Sequence, residues 1–317
     1  MKLWGLASLV LCLSGCATPV TSPPRLTVSG VSSGGYMALQ MQVAFSDQIY
    51  GAGAIAAGPY DCAEGNIVNA LGACINGPPP SVSHTVDLMR QRESAGDIAP
   101  LARLADQRIW LLHGSHDAVV DRSVVERAAD VLIALDAEVK LVTNVPAAHG
   151  MPTVDFGAAC DQMRTPFLNE CNFDSAGRLL QFLVGDATEL TESDRALPRG
   201  HLFDLPQPQA EGLAEVAKVY AAPQCDRRDQ CEIHVAFHGC QQSTEFVQQA
   251  FVDSAGYNLW ADRLGLIILY PQVAATPTNP LGCWDWWGYS DPDYATRQAP
   301  QMRAVLTMVD ALRSGVR

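Results

Sequence analysis

The residues whose types and spacing first suggest chemistry are two adjacent serines among glycines, Gly30-Val31-Ser32-Ser33-Gly34-Gly35-Tyr36-Met37. A serine hydroxyl is a poor nucleophile until a base is placed beside it. A sharp strand-to-helix turn can present it. The turn is so tight that the positions two before and two after the serine must be small, giving Gly-x-Ser-x-Gly. Centred on Ser32, those positions are Gly30 and Gly34. Centred on Ser33, they are Val31 and Gly35. Val31 would crowd the turn, so Ser32 is the candidate nucleophile. A plain serine–glycine turn is the competing reading, and the partners decide between them.

An acid is offered by His113-Gly114-Ser115-His116-Asp117, which follows the apolar run Arg108 to His113. The carboxyl end of a buried strand is where a triad aspartate sits. Asp117 is nearest to it, and Asp121 is the fallback. The base is offered by "VPAAHGMPT", which places His149 in a loop after Val139 to Asn144. The order Ser, Asp, His is that of α/β-hydrolases. Six other histidines compete. His113 and His116 flank the acid and are expected to shape its loop. His234 lies inside a strand and reads as packing, and His238 reads as structural near the site. His84 and His201 have no partner signal. A second short motif, His238-Gly239-Cys240-Gln241, follows the strand-like "VAF". It matches the loop that donates one oxyanion N–H in esterases, here that of Cys240. The other donor is the backbone N–H of the residue after the nucleophile, Ser33.

These residues need elements to hold them. Strands are expected at 25–29, 50–57, 108–113, 139–144, 215–221, 232–237 and 266–270. Helices are expected at 36–45, 82–94, 123–135, the end of a helix at 179–183, a largely helical stretch at 246–263, and a closing helix at 302–313. The alternation argues for an α/β fold, a mainly parallel sheet with helices on both faces. Residues 186–199 are polar and turn-rich and resemble a linker. Neither half carries enough strands for a sheet of its own, so one catalytic domain over 25–317 is expected. The HG motif ordinarily precedes the nucleophile turn, yet here it follows it by about two hundred residues. The order reads as a circular permutation, with the ancestral ends joined near 186–199.

Composition narrows the class. Of 317 residues, 48 % are hydrophobic, which is ample for a core, and the formal net charge of −13 argues against a nucleic-acid partner. Met1 and Lys2 precede the apolar run Leu3 to Leu13, which is too short to span a bilayer and reads as an export signal. The run ends in Leu13-Ser14-Gly15-Cys16, which resembles a lipobox. Residues 1–16 are therefore expected to be a lipoprotein-type signal with Cys16 the lipidated residue, and 17–24 a tether. Cleavage near Ala17 is the alternative. Any membrane contact would be through that anchor. Of ten cysteines, Cys12 and Cys16 belong to the signal, leaving eight. In an exported chain these suggest disulfides. Local spacing pairs Cys62 with Cys74, Cys160 with Cys171 and Cys225 with Cys231, and leaves Cys240 for Cys283. A zinc site competes weakly, since no CxxC or HExxH occurs.

Taken together, "GVSSGGYMA", "HGSHD", "AAHGMPT", "HGCQQ", "AGYNLWADRLGLIILYPQ" and "GCWDWW" resemble the circularly permuted polyhydroxybutyrate depolymerases, single-domain serine esterases of the fungal extracellular type and their bacterial relatives. The resemblance covers nearly all of the chain after the signal. It implies a circularly permuted α/β-hydrolase fold, with Ser32 as nucleophile, Asp117 as acid and His149 as base. Ser33 and Cys240 would be the oxyanion donors. It also implies a polyester or oligoester substrate and no metal or organic cofactor. Trp286 best matches a substrate-contacting tryptophan, with Trp284 and Trp287 competing and core packing the alternative for all three. A lipid anchor departs from a freely secreted enzyme and leaves solid polymer and soluble oligomer both open as substrate. The rival functions are a feruloyl or acetyl esterase acting on plant polysaccharide, and a non-catalytic, lipid-anchored binding protein on the same scaffold.

Overall fold

The computed structural model describes residues 24–105, 107–185, 197–225 and 231–315. The proposed signal, the tether up to residue 23 and most of the expected junction lie outside the described residues.

The first half of the chain contributes β1 (Leu26–Val31), β2 (Ile49–Ile55), β3 (Arg108–Gly114) and β4 (Glu138–Val145). A small sheet follows, of β5 (Met151–Thr153), β6 (Ala158–Ala159) and β7 (Leu168–Glu170). The second half contributes β8 (His201–Pro206), β9 (Val216–Ala221), β10 (Glu232–Phe237) and β11 (Leu266–Tyr270). The large sheet has eight strands in the order β4-β3-β2-β1-β10-β11-β9-β8. All neighbours are parallel except at β9, which runs antiparallel to both β11 and β8. Counted from β8 and continued through β1, the spatial order is 1-2-4-3-5-6-7-8 with the second strand reversed. This is a circularly permuted α/β-hydrolase sheet, and its central pair, β1 with β10, joins the two halves of the chain.

The strands nearest the centre are buried along their whole length, as expected where helices cover both faces of a parallel sheet. All six residues of β1 are buried, as are all five of β11. The edges are marked by exposure and polarity instead. β4 is mostly half-exposed, and β8, "HLFDLP", is largely exposed. Successive side chains of β1 serve opposite faces. Ser29 points to Tyr257, on the helix Tyr257–Leu264. Gly30 lies against Gly34, on the helix Ser33–Ala44.

The expected strands are present. The sequence reading gives no strand at 201–206, where β8 forms, and no small sheet. The stretch expected to be largely helical over 246–263 divides into Thr244–Val247, Ala250–Ser254 and Tyr257–Leu264. Gln248 and Gly256 adopt positive φ of 54° and 95° at the two breaks. The eight remaining cysteines form four disulfides, Cys62–Cys74, Cys160–Cys171, Cys225–Cys231 and Cys240–Cys283. No thiolate is left among them for a metal.

Candidate active site

Ser32 stands between β1 and the helix Ser33–Ala44 with φ 55° and ψ −124°. A non-glycine residue pays on the order of 1–3 kcal/mol to stay in such a region, so the surroundings must enforce it. They do so by close approach. A Cβ on Gly30 would fall 2.3 Å from the carbonyl of Gly34, and one on Gly34 would fall 2.3 Å from the carbonyl oxygen of His238. Both flanking positions must therefore be glycine. The Ser32 N–H donates to the Ile55 carbonyl at 2.8 Å, which anchors the turn to β2.

Three side chains from separate loops meet there. His149 Nε2 lies 2.9 Å from Ser32 Oγ, and His149 Nδ1 lies 2.8 Å from Asp117 Oδ2. With Nδ1 donating to the carboxylate, Nε2 is free to accept the serine proton. The other oxygen of Asp117 accepts from the N–H groups of Val119 and Val120 at 2.8 and 3.0 Å. Burial pushes the Asp117 carboxyl up. The hydrogen bond and charge of His149, with the two backbone donors, outweigh it and hold the group below the usual carboxylate range. Asp117 and His149 are almost fully enclosed. Backbone bonds join their loops, from Ser115 N–H to Val145 and from His116 N–H to Ala147. Asp121, the fallback acid, instead caps the helix Arg122–Ile133 by accepting from Ser123 N–H at 2.8 Å. His113 donates from Nε2 to the Val120 carbonyl at 3.0 Å and so shapes the acid loop.

The expected oxyanion donors sit beside Ser32 on the same cavity wall. The Ser33 N–H opens its helix, so it has no acceptor within that helix, and the positive end of the helix dipole faces the same point. Cys240 lies in the turn after β10. The preceding N–H, that of Gly239, is already spent on Gln242 Oε1 at 2.7 Å. His238 is buried and braces this turn. Its Nε2 accepts from Val273 N–H at 3.2 Å and its Nδ1 donates to the Gly239 carbonyl at 2.7 Å. Burial lowers its pKa to about 4, which keeps the ring neutral. His234 is held likewise between Thr27 and Ser29, with its pKa lowered to about 3 by burial.

The cavity at Ser32 has a volume of about 350 Å³ and a mainly apolar wall that includes Tyr36, Val119, Phe167, Leu281, Trp286 and Trp287. Trp286 stacks on Tyr36 with ring centres 4.2 Å apart, and Trp287 meets Trp286 edge-on at 5.5 Å. Trp284 departs from the expectation. It is wholly buried, packed against Phe237 and His238, and does not reach the cavity. The loop is organised by Asp285, which accepts from Gly288, Tyr289 and Ser290 N–H. The Cys240–Cys283 disulfide fastens it to the turn after β10. The sequence reading passed over Tyr36, Gln242 and the apolar rim at Ile67 and Leu71. Tyr36, four residues after the nucleophile and on the same helix face, was the one with a spacing signal. A larger cleft of about 940 Å³, near Arg108, Arg178 and Trp260, contains no part of this relay.

Comparison with known proteins agrees with the geometry. A poly(3-hydroxybutyrate) depolymerase of Delftia acidovorans is 37 % identical over 325 aligned residues, which cover 98 % of this chain and 65 % of the relative. This chain thus spans about two thirds of that relative's length. A polyhydroxybutyrate depolymerase of Talaromyces funiculosus is 34 % identical, with 93 % of this chain and 91 % of the relative aligned. The chain belongs to the polyhydroxybutyrate depolymerase family. Two solved structures are similar, each match covering 93 % of this chain and 97 % of the other. One is a serine-to-alanine PHB depolymerase complexed with an R3HB trimer, with TM-score 0.85 and 32 % identity. The other is the PHB depolymerase from Penicillium funiculosum, with TM-score 0.84 and 33 % identity. Residues 16–173 also match the model of the prolyl oligopeptidase family.

Proposed function

We propose that the protein is a serine esterase that hydrolyses the ester bonds of poly(3-hydroxybutyrate) or its oligomers. The observation that carries this reading is the unbroken relay Asp117–His149–Ser32 opening into an apolar cavity. His149 takes the proton of Ser32 as its oxygen attacks the ester carbonyl. Asp117 holds the ring in the needed tautomer and stabilises the imidazolium. The N–H groups of Ser33 and Cys240 receive the oxyanion. His149 then returns the proton to the leaving alcohol, and water resolves the acyl-enzyme by the same route. A wall of Tyr36, Trp286 and Trp287 suits an aliphatic polyester, which offers methyl groups and carbonyls but no charge.

The test is product analysis on hydroxybutyrate polymer and its short oligomers, with feruloyl esters in parallel and the Ser32→Ala variant as control. Hydroxybutyrate products lost in Ser32→Ala are expected. Faster turnover of feruloyl esters would reassign the substrate, and undiminished turnover by Ser32→Ala would refute the relay.

Four disulfides and the named relatives support an extracytoplasmic enzyme. Among the described residues no helix is long and apolar enough to cross a membrane. Our reading of the rest is a lipoprotein-type signal at 1–16 with Cys16 lipidated, a tether at 17–24 and one catalytic domain over 25–317, with the permutation junction near 186–199. Detergent partitioning of the expressed protein, lost in Cys16→Ser, is the outcome expected for an anchored form.

A further inference from the structure

The oxyanion turn and the loop of the catalytic base come from opposite halves of the chain, and one buried side chain bridges them. Gln242 is almost completely enclosed. Its Oε1 accepts the Gly239 N–H at 2.7 Å. Its Nε2 donates to the carbonyls of Pro166 and Phe167 at 3.0 and 2.9 Å. The Phe167 carbonyl also accepts the N–H of Met151, two residues beyond His149, at 3.0 Å. The same carbonyl lies so close to Gly150 that a Cβ there would approach it to 2.6 Å. A continuous path thus runs from the His238–Gly239 peptide, next to that of Cys240, through the Gln242 amide and residues 166–167, to the His149 segment.

We propose that Gln242 is a positioning residue for the oxyanion site, resting on the esterase reading above. Two consequences follow from its contacts. By occupying the Gly239 N–H it fixes the His238–Gly239 peptide, and so the direction from which the chain enters the next peptide, whose N–H is that of Cys240. By holding residues 166–167 it sets the distance between this donor and the base. An oxyanion donor acts through preorganisation, so its orientation matters most in the tetrahedral state and little for substrate at rest. An amide is required for both contacts. A carboxylate keeps the acceptor for Gly239 but turns the donor end into a second acceptor facing two carbonyls, and a methionine keeps the volume and loses both.

The experiment compares the native enzyme with Gln242→Glu and Gln242→Met on a soluble butyrate ester. Active sites are titrated with an irreversible fluorophosphonate that labels the reactive serine, and the affinity for an alkylboronic acid, a mimic of the tetrahedral state, is measured beside KM. In Gln242→Met, kcat per titrated site is expected to fall about 100-fold and boronate affinity to fall in parallel, with KM changed less than about threefold. Gln242→Glu is expected to fall about tenfold. If Gln242→Met does not fold, Gln242→Glu carries the test alone. Unchanged kcat per titrated site and unchanged boronate affinity in the folded variants would overturn the proposal, since a merely structural residue changes only the number of active sites. Absence of ester turnover by the native enzyme, or turnover undiminished in Ser32→Ala, would instead refute the underlying esterase reading.

Discussion

Replacing Gly34 with alanine tests how tightly the turn bearing Ser32 is set against the end of β10. The added Cβ would lie 2.3 Å from the His238 carbonyl oxygen and 2.5 Å from that of Phe237, where ordinary contact begins near 3.4 Å. Both obstacles are backbone, so no rotamer change relieves them. The turn bearing Ser32 and the strand leading to Cys240 must separate by about 1 Å. Overpacking of this kind costs on the order of 1–3 kcal/mol of stability. The larger effect is chemical. A misplacement of about 1 Å costs on the order of 100-fold in rate, or about 3 kcal/mol in activation free energy, when reacting groups and oxyanion donors lose their alignment. The assay is kcat/KM for a soluble butyrate ester, normalised to folded protein by circular dichroism. A folded Gly34→Ala variant within about threefold of the native value would refute the reasoning, because the close approach would then not set the geometry.

Ser33→Ala is expected to leave kcat/KM within about twofold. Only the backbone of Ser33 is assigned a role, and its buried hydroxyl has no hydrogen-bond partner, so thermal stability should hold or rise slightly. Trp287→Ala is expected to raise KM several-fold with little change in melting temperature, since the ring is part of the cavity wall. Trp284→Ala should cost on the order of 3–5 kcal/mol in denaturant unfolding, because its ring fills the core. His234 and His238, with pKa values lowered to about 3 and about 4, stay neutral in the fold while the unfolded chain takes up their protons near 6.5. Protonation therefore favours the unfolded state, and stability is lost as pH falls from about 6.5 toward 4. At pH 5 the two together remove on the order of 4 kcal/mol. Urea midpoints measured at pH 7 and pH 5 check this, and equal midpoints would contradict it.

The turn of the candidate nucleophile was legible because its motif is contiguous. Gly30 must be small because Gly34 follows four residues on, whereas the carbonyls that exclude a side chain at Gly34 are those of Phe237 and His238, far away in the chain. The candidate acid and base were placed by a weaker rule, the end of a strand and the order along the chain. That rule also left Asp121 in view, and only the hydrogen bonds to Ser123 and His149 separate the two aspartates. Strand β8 was not legible. Its residues, "HLFDLP", are those of an exposed edge, and an edge strand has only one neighbour to dictate its pattern. The three tryptophans differ by only one to three positions, so periodicity alone could not say which one left the cavity.

Sequence by itself determined the tight turn at Ser32, the alternation of strands and helices, the local cysteine spacings and the permuted order of motifs. Each depends on residues close together along the chain or on the order in which segments occur. Tertiary structure alone decided that β1 pairs with β10, that Trp284 faces the core, and that Gln242 links the turn after β10 to residues 166–167. The physical reason is that these contacts join segments far apart in the chain. A buried amide can find partners in any loop that packing brings within hydrogen-bond reach, and nothing in its neighbouring residues names that loop.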